Sequence, residues 1–293
     1  MRILSLAPSL ALLAAISTNL HAQESQPAPA PDKSQYNLFN PTPASAMRDF
    51  SSDRPDQTEG PITVDAGHLQ LELSLADYVY DRHKASTDKN VSTTLAAAPF
   101  NIRLGLTNDV ELDVMDTPYF WNRDRNRDTG DVDHQDGTGD TTLRIKWNLI
   151  GNDDGHFALA LLPFIKLPTN TIEGYNHNVE GGLIIPFQFD LPLDFHAGAM
   201  TEFDALRDDD RDEYHSEFVN SATLHHLLIG KLDSYVEFYS VVSSKGAGNW
   251  IGTADTGLLY PITDNIQIDC GANFGVTKSA PDLEVFTGLS IRF

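Results

Sequence analysis

From about Ala66 to the carboxyl-terminal Phe293 the chain repeats one pattern: stretches of roughly ten to fifteen residues that alternate apolar and polar side chains, bounded by Gly, Asn, Asp and Pro. Period two places successive side chains on opposite faces of a strand, so each stretch has one greasy face and one wet face. Twelve such stretches can be counted, at about 67–79, 92–106, 110–121, 139–150, 156–167, 178–189, 193–205, 214–229, 234–243, 249–261, 266–276 and 283–293. The last is the clearest. Leu283, Val285, Thr287, Leu289, Ile291 and Phe293 share one face, with Glu284, Phe286, Gly288, Ser290 and Arg292 on the other. The fourth opposes Leu143, Ile145, Trp147 and Leu149 to Arg144, Lys146 and Asn148, and the eleventh sets Ile266, Ile268, Cys270, Ala272, Phe274 and Val276 against Gln267, Asp269, Gly271 and Asn273. Between Phe218 and Leu228 neither register gives a clean apolar face, so the register of the eighth strand stays open.

The first residues indicate where such strands would fold. Arg2 gives a short positive start, Ile3 to Ile16 is apolar apart from Ser5, Pro8 and Ser9, and small residues lead to a cut after Ala22, as in a secretory signal peptide. Beyond it no segment reaches the ~20 consecutive apolar residues of a membrane helix; FALALLPFI from Phe157 is too short. An exported chain of this kind can enter a membrane only as a closed barrel, because closure alone satisfies every backbone group in lipid.

Connection lengths agree. Thr107–Asp109, Gly151–Asp154, Asp190–Pro192, Gly230–Asp233 and Thr263–Asn265 are tight, and they alternate with charged, mostly longer connections: RHKASTDKN, the acidic run from Asn122 to Thr138, and RDDDRDE from Arg207. Short periplasmic turns alternating with long external loops, with both chain ends periplasmic, are the rhythm of an outer-membrane barrel. Trp121 and Trp250 then fall near external strand ends, with Trp147, Tyr260 and Phe293 near periplasmic ends, as two interfacial girdles require. The predicted fold is all-β: a transmembrane, antiparallel, up-and-down β-barrel of about twelve strands. Its predicted organisation is a signal peptide at 1–22, a Pro-rich extended segment at 23–65 and the barrel at 66–293. A soluble sandwich or jelly roll also alternates, but explains neither the short-long rhythm nor the apolar, aromatic carboxyl terminus.

The 42 acidic residues outnumber the 20 basic ones, a net charge of −22 that repels phosphate backbones and argues against a nucleic-acid partner. Cys270 is the single cysteine, so no internal disulfide exists, and its expected state is a buried thiol. No cofactor or metal is expected. The external run DRDRNRDTGDVDHQDGTGD carries Asp124, Asn126, Asp128, Asp131, Asp133 and Asp136 at spacings near those of calcium loops, but Gly130 and Gly137 fall one place late and no Glu follows at the twelfth position. A solvated acidic loop, bridged to lipopolysaccharide by divalent ions, is the better reading.

Three blocks carry a family resemblance: YNLFNPTP at Tyr36–Pro43, SDRPDQTEGP at Ser52–Pro61 and TVDAGHLQLE at Thr63–Glu72, continued by the terminal strand to Phe293. With these the chain resembles the outer-membrane proteins of the putative meta-pathway phenol-degradation family. The resemblance implies a barrel that passes small organic molecules, without naming the solute.

The alternation points Glu72, Arg103, Glu111, Asp113, Arg144 and Lys146 into the lumen as a mixed-charge wall. Opposite them it points Glu202, Asp204, Glu217 and Glu237 inward as an acidic wall, with Asp269 and Arg292 also on wet faces. Such walls either create a transverse field that filters solutes or simply pair and fill the interior. SDRPDQTEGP, holding Arg54, Asp56 and Glu59, either folds back into the periplasmic mouth as a plug or gate or is a solvated turn before the first strand. Lipid hydrolysis would need His215 with Ser216, or Ser221 with His225 or His226. Adjacent residues point to opposite faces and no third group orients the His, so no catalytic residues are assigned. An adhesin or receptor acting through the acidic loops is the other alternative. The function expected is passive uptake or efflux of small organic molecules, aromatic or hydrophobic ones among them. The expected partners are that solute, outer-membrane lipid and lipopolysaccharide, and the barrel-assembly machinery through Phe293.

Overall fold

Alternation on this scale folds as one sheet. The computed structural model describes residues 32–84, 89–153, 155–172, 177–208, 213–245 and 250–293; the signal peptide with its cut after Ala22 lies outside them. A single 3-10 turn at Ala44–Ala46 precedes β1 (Leu69–Asp81), β2 (Asn90–Ala97), β3 (Phe100–Gly105), β4 (Val110–Asp116), β5 (Tyr119–Asn126), β6 (Val132–Gly137), β7 (Thr141–Ile150) and β8 (Phe157–Leu167). Then follow β9 (Glu180–Leu191), β10 (Phe195–Arg207), β11 (Tyr214–Ile229), β12 (Leu232–Ser243), β13 (Ile251–Thr263), β14 (Ile266–Gly275) and β15 (Leu283–Arg292). All pairings are antiparallel, and β15 pairs back to β1, from Gln70 opposite Arg292 to Tyr80 opposite Leu283. β2 with β3, β4 with β5 and β6 with β7 are each one stave interrupted by a short break, so the fifteen segments make a closed barrel of 12 strands. Closure leaves no sheet edge in lipid.

The faces follow the alternation. Lys146 and Asn148 are buried in the interior while Ile145, Trp147 and Leu149 are exposed on the outer wall. On β14, Asp269 and Asn273 are buried and Ile268 and Phe274 exposed. β11 resolves the open register: Val219, Ser221 and Thr223 are buried inside, and Phe218 is exposed outside. The pattern was unreadable because this strand puts an apolar Val219 inward and polar Asn220 and His226 on the outer face.

Three expectations change. The acidic run from Asn122 to Thr138 is not a loop: most of it is strand, β5 paired with β6 from Phe120 opposite Gly137 to Arg125 opposite Val132. Charged side chains are compatible with a hairpin that stands in water. Cys270 is exposed on the outer face, because its even register with Ile268 and Phe274 turns the thiol toward lipid. Finally, the interior is not uniformly wet. Ala160 and Leu162 on β8, Ile184 on β9, Met200 on β10, Val219 on β11 and Val241 on β12 form a buried apolar cluster, with Phe164, Tyr239 and Ile251 packed against it.

Candidate functional site

The segment before β1 enters the barrel. Gly105 lets it pass: a Cβ there would lie 2.2 Å from the backbone oxygen of Asp65, so only glycine permits the approach. At the periplasmic end, Asp65 receives Lys33 at 3.3 Å, Arg48 at 3.4 Å and Arg292 at 3.8 Å. Arg292, expected to line the lumen, thus sits at its mouth, donating to the backbone oxygen of Arg48 at 2.9 Å and to Asn265 at 3.0 Å. In the neighbouring turn, burial works to raise the Asp153 carboxyl, yet hydrogen bonds from Lys33 and Asn108 and the charge of Arg48 hold it below its ordinary value. In the external loop before β15, hydrogen bonds from Arg82 hold the Asp282 carboxyl far below its own.

Further in, residues 51–64 cross the lumen and bind both sides. Arg103 on β3 and Lys146 on β7 are fully buried, and Asp53 pairs with both, accepting from Lys146 at 2.7 Å and lying 3.2 Å from Arg103. Arg103 also pairs with Glu72 and Glu111 at 2.8 Å each, and Lys146 with Glu111 at 3.3 Å. Asp113, equally buried, stands in register between Arg103 and Arg144. Buried charge is tolerable only when paired. Backbone groups of the segment join the cluster: Ile62 O accepts from Arg103 at 2.8 Å, Pro61 O from Asn148 at 2.8 Å, and Val64 N donates to Glu111 at 2.5 Å.

Arg54, Asp56 and Glu59 are all held inside, so the solvated-turn reading does not stand. Arg54 forks onto Asp269 at 2.8 and 3.1 Å, over the ring of Phe286 and against Gly288. Asp56 meets His225 Nε2 at 3.0 Å, and Glu59 accepts from Arg144. Sequence reasoning missed the remaining contacts. Thr58 bonds Ser221 at 2.6 Å and Glu237 at 2.5 Å, while Gln57 donates to Glu237 and Asp255 at 2.9 Å each. Asp53, Gln57 and Thr58 lie before the first strand, where no register applies, Ser221 and His225 lie on the strand whose register stayed open, and Asp255 carried no signal of its own, because periodicity cannot say which turn folds back onto which strand. Glu202 and Asp204 lie beside the apolar cluster, Glu202 in register with Ile184 and Val219. Ser221 and His225, two of the hydrolase candidates, are thus engaged by the segment, and His215 faces Glu217 at 3.5 Å.

The segment separates two cavities. One of about 250 Å³ lies toward the periplasm between Phe50, Arg54, Glu59, Phe187, His196 and His225. The other, about 340 Å³, lies on the external side between Asp53, Glu59, Phe100, Met115 and Asp140. Arg54, Asp56 and Glu59 line both. Among the described residues no group of His, Cys, Asp and Glu is arranged to hold a metal ion.

Among solved structures, an outer membrane channel from Pseudomonas putida F1 is 11% identical, covers 83% of this chain and 100% of its own, and superposes with a TM-score of 0.56. That likeness is one of fold. The NanC porin (9% identity, 76% of this chain and 98% of its own, TM-score 0.47) and the transport unit of the autotransporter AIDA-I from Escherichia coli (10%, 83% and 92%, 0.47) are more distant. No curated protein matches. The family model described as Putative MetA-pathway of phenol degradation matches residues 52–293, from the lumenal segment through the closing strand, and the chain belongs to that family.

Proposed function

We propose that this protein is a passive outer-membrane channel for small organic molecules, aromatic and hydrophobic ones included, with residues 50–61 as its gate. One observation carries the reading: the segment crosses the lumen on hydrogen bonds and ion pairs, with cavities on both of its sides sharing Arg54, Asp56 and Glu59. A structural filler would be better served by apolar packing, since replacing buried ion pairs with well-packed apolar groups is often neutral or stabilising. The apolar cluster of Leu162, Ile184, Met200, Val219 and Val241 supports the solute class. It touches the segment where Glu59 N approaches the sulfur of Met200 at 3.4 Å, so withdrawing the segment presents an apolar strip to the lumen.

The test is conductance in planar bilayers. The full chain should pass little current, and deletion of Phe50–Gly60 should raise it. Carboxylates outnumber cations on the lumen wall, so the opened pore should prefer cations, with reversal potential read under a salt gradient. Unchanged current after the deletion would end the gating reading; anion preference would put Arg103, Arg144 and Lys146 in control of the narrowest point.

A further inference from the structure

The hairpin of β5 and β6 sorts its charges by face. Tyr119, Trp121, Arg123 and Arg125 alternate along one side of β5, with Asp136, His134 and Val132 of β6 opposite the last three. Register fixes which side this is. Leu95 stands between Trp121 and Tyr78, and Leu95, Tyr78 and Tyr119 are exposed on the outer wall. At the next position up on the same face, Thr93 stands between Arg123 and Tyr80. Arg123 and Arg125 therefore point away from the pore axis and continue the lipid-facing surface upward. The carboxylates of the run lie elsewhere. Asp124 accepts from Ser92 and, at 2.9 Å, from Asn122, and Asp133 is opposite it, both on the other face, above the lumen. Near the tip Asp128 is taken by Lys89 at 3.0 Å. Among the paired positions of the hairpin, Asp136 is the one carboxylate facing outward, and it stands beside Trp121, below Arg123.

Among the described residues neither Arg123 nor Arg125 has a carboxylate partner, in a chain with 42 acidic residues and 20 basic ones. Other external cations are paired: Arg82 and Lys84 both reach Asp282, and Lys245 reaches Asp208 at 3.0 Å. An unpaired guanidinium keeps all its donors in the planar fork that matches phosphate oxygens. Height supplies a second argument. Tyr78, Tyr119 and Trp121 form the external aromatic belt, the level at which rings meet the headgroups. Successive positions on one strand face are about 7 Å apart, so Arg123 stands just above the belt and Arg125 one step beyond it. That is the level of the sugar-borne phosphates that cap the acyl chains of the outer leaflet.

We propose that Arg123 and Arg125 bind the phosphates of a lipopolysaccharide molecule directly, as charge-assisted hydrogen bonds. Trp121, stacked on His134 with ring centroids 5.6 Å apart, forms the lower edge of the site. This contact takes the place of the divalent bridge expected of the acidic run, because Asp124 and Asp133 face away from lipid. It ties the hairpin to the outer leaflet and does not depend on the channel reading.

The test is titration of the detergent-extracted protein with phosphorylated deep-rough lipopolysaccharide, with and without EDTA, read by native mass spectrometry. Arg123→Gln with Arg125→Gln should weaken binding about tenfold, the loss expected when charge-assisted bonds to phosphate are removed. Arg123→Lys with Arg125→Lys should recover part of it. Lipopolysaccharide stripped of phosphate should bind the unsubstituted protein as weakly as the Gln variant binds the intact lipid. Heat-modifiable migration on a gel reports that each variant is a closed barrel. Equal affinity of the Gln variant and the unsubstituted protein would overturn the proposal. So would binding that EDTA abolishes and magnesium restores, which is the signature of an acidic bridge. Full displacement by inorganic phosphate would overturn it too, by making the arginine pair a site for the free ion.

Discussion

The two halves of the barrel wall are built differently. From β1 to β7 the interior is charged and the ladders are broken by Pro99, Pro118 and residues 138–140. From β8 to β13 the strands run unbroken for 11 to 16 residues, and the mid-height interior is apolar. The lumenal segment treats them accordingly. It meets the first half through Asp53 on Arg103 and Lys146, and the second through Thr58 on Ser221, Asp56 on His225 and Gln57 on Asp255. The charged half is a socket that defines where the segment sits. The second half holds the segment by hydrogen bonds at Ser221, His225, Glu237 and Asp255, and the apolar cluster beside them is the surface that suits a solute that slides past.

If that contrast holds, substitutions in the two halves should fail in different ways. The largest effect is expected for Arg103→Met. It leaves Glu72 and Glu111 buried with one cation fewer, and breaking a buried pair costs about 3–5 kcal/mol; a marked fall in the urea midpoint of the refolded protein in detergent should report it. Leu162→Ala in the apolar half should cost about 2–5 kcal/mol through the cavity it leaves. Its gate contacts should persist, so closed-state conductance should stay low. A leaky Leu162→Ala, or an Arg103→Met of full stability, would erase the distinction.

A smaller effect is expected at the seat of Arg54. A Cβ at Gly288 would lie 2.3 Å from the Arg54 guanidinium, so Gly288→Val should displace Arg54 from Asp269 and raise single-channel opening several-fold, with some loss of stability because buried Asp269 loses its cation. The smallest concerns the tether. Because the Asp153 carboxyl is held below its ordinary value, its stabilising effect is present above the unfolded pKa of ~3.9 and is lost only as pH falls through the lower folded value. The tether should therefore be unchanged between about pH 5 and pH 8. At neutral pH, Asp153→Asn should speed tryptic cleavage after Arg48 a few-fold, since Arg48 keeps Asp65 at 3.4 Å.

Much of this was legible in the sequence. Period-two alternation located twelve staves because lipid outside and water inside impose opposite chemistry on adjacent residues, and the tight turns marked the periplasmic rim. The inward register of Arg103, Glu111, Lys146 and Asp269 followed from the same rule. Alternation could not say that SDRPDQTEGP occupies the lumen, since its contacts run to Glu237, Asp255 and Asp269, some 180 to 215 positions away. Nor could it find the apolar cluster. Leu162 and Ile184 lie in strands apolar on both faces, where periodicity carries no contrast.

The central claim, that residues 50–61 lie across the lumen between the two halves, is tested most directly by a disulfide. The Thr58 and Ser221 hydroxyl oxygens are 2.6 Å apart. In a Cys270→Ser background, Thr58→Cys with Ser221→Cys should cross-link in native membranes under mild oxidation and shift mobility on a non-reducing gel. Absence of the cross-link, with the cysteine at position 58 labelled by a bulky water-soluble maleimide as fast as in unfolded protein, would contradict the account.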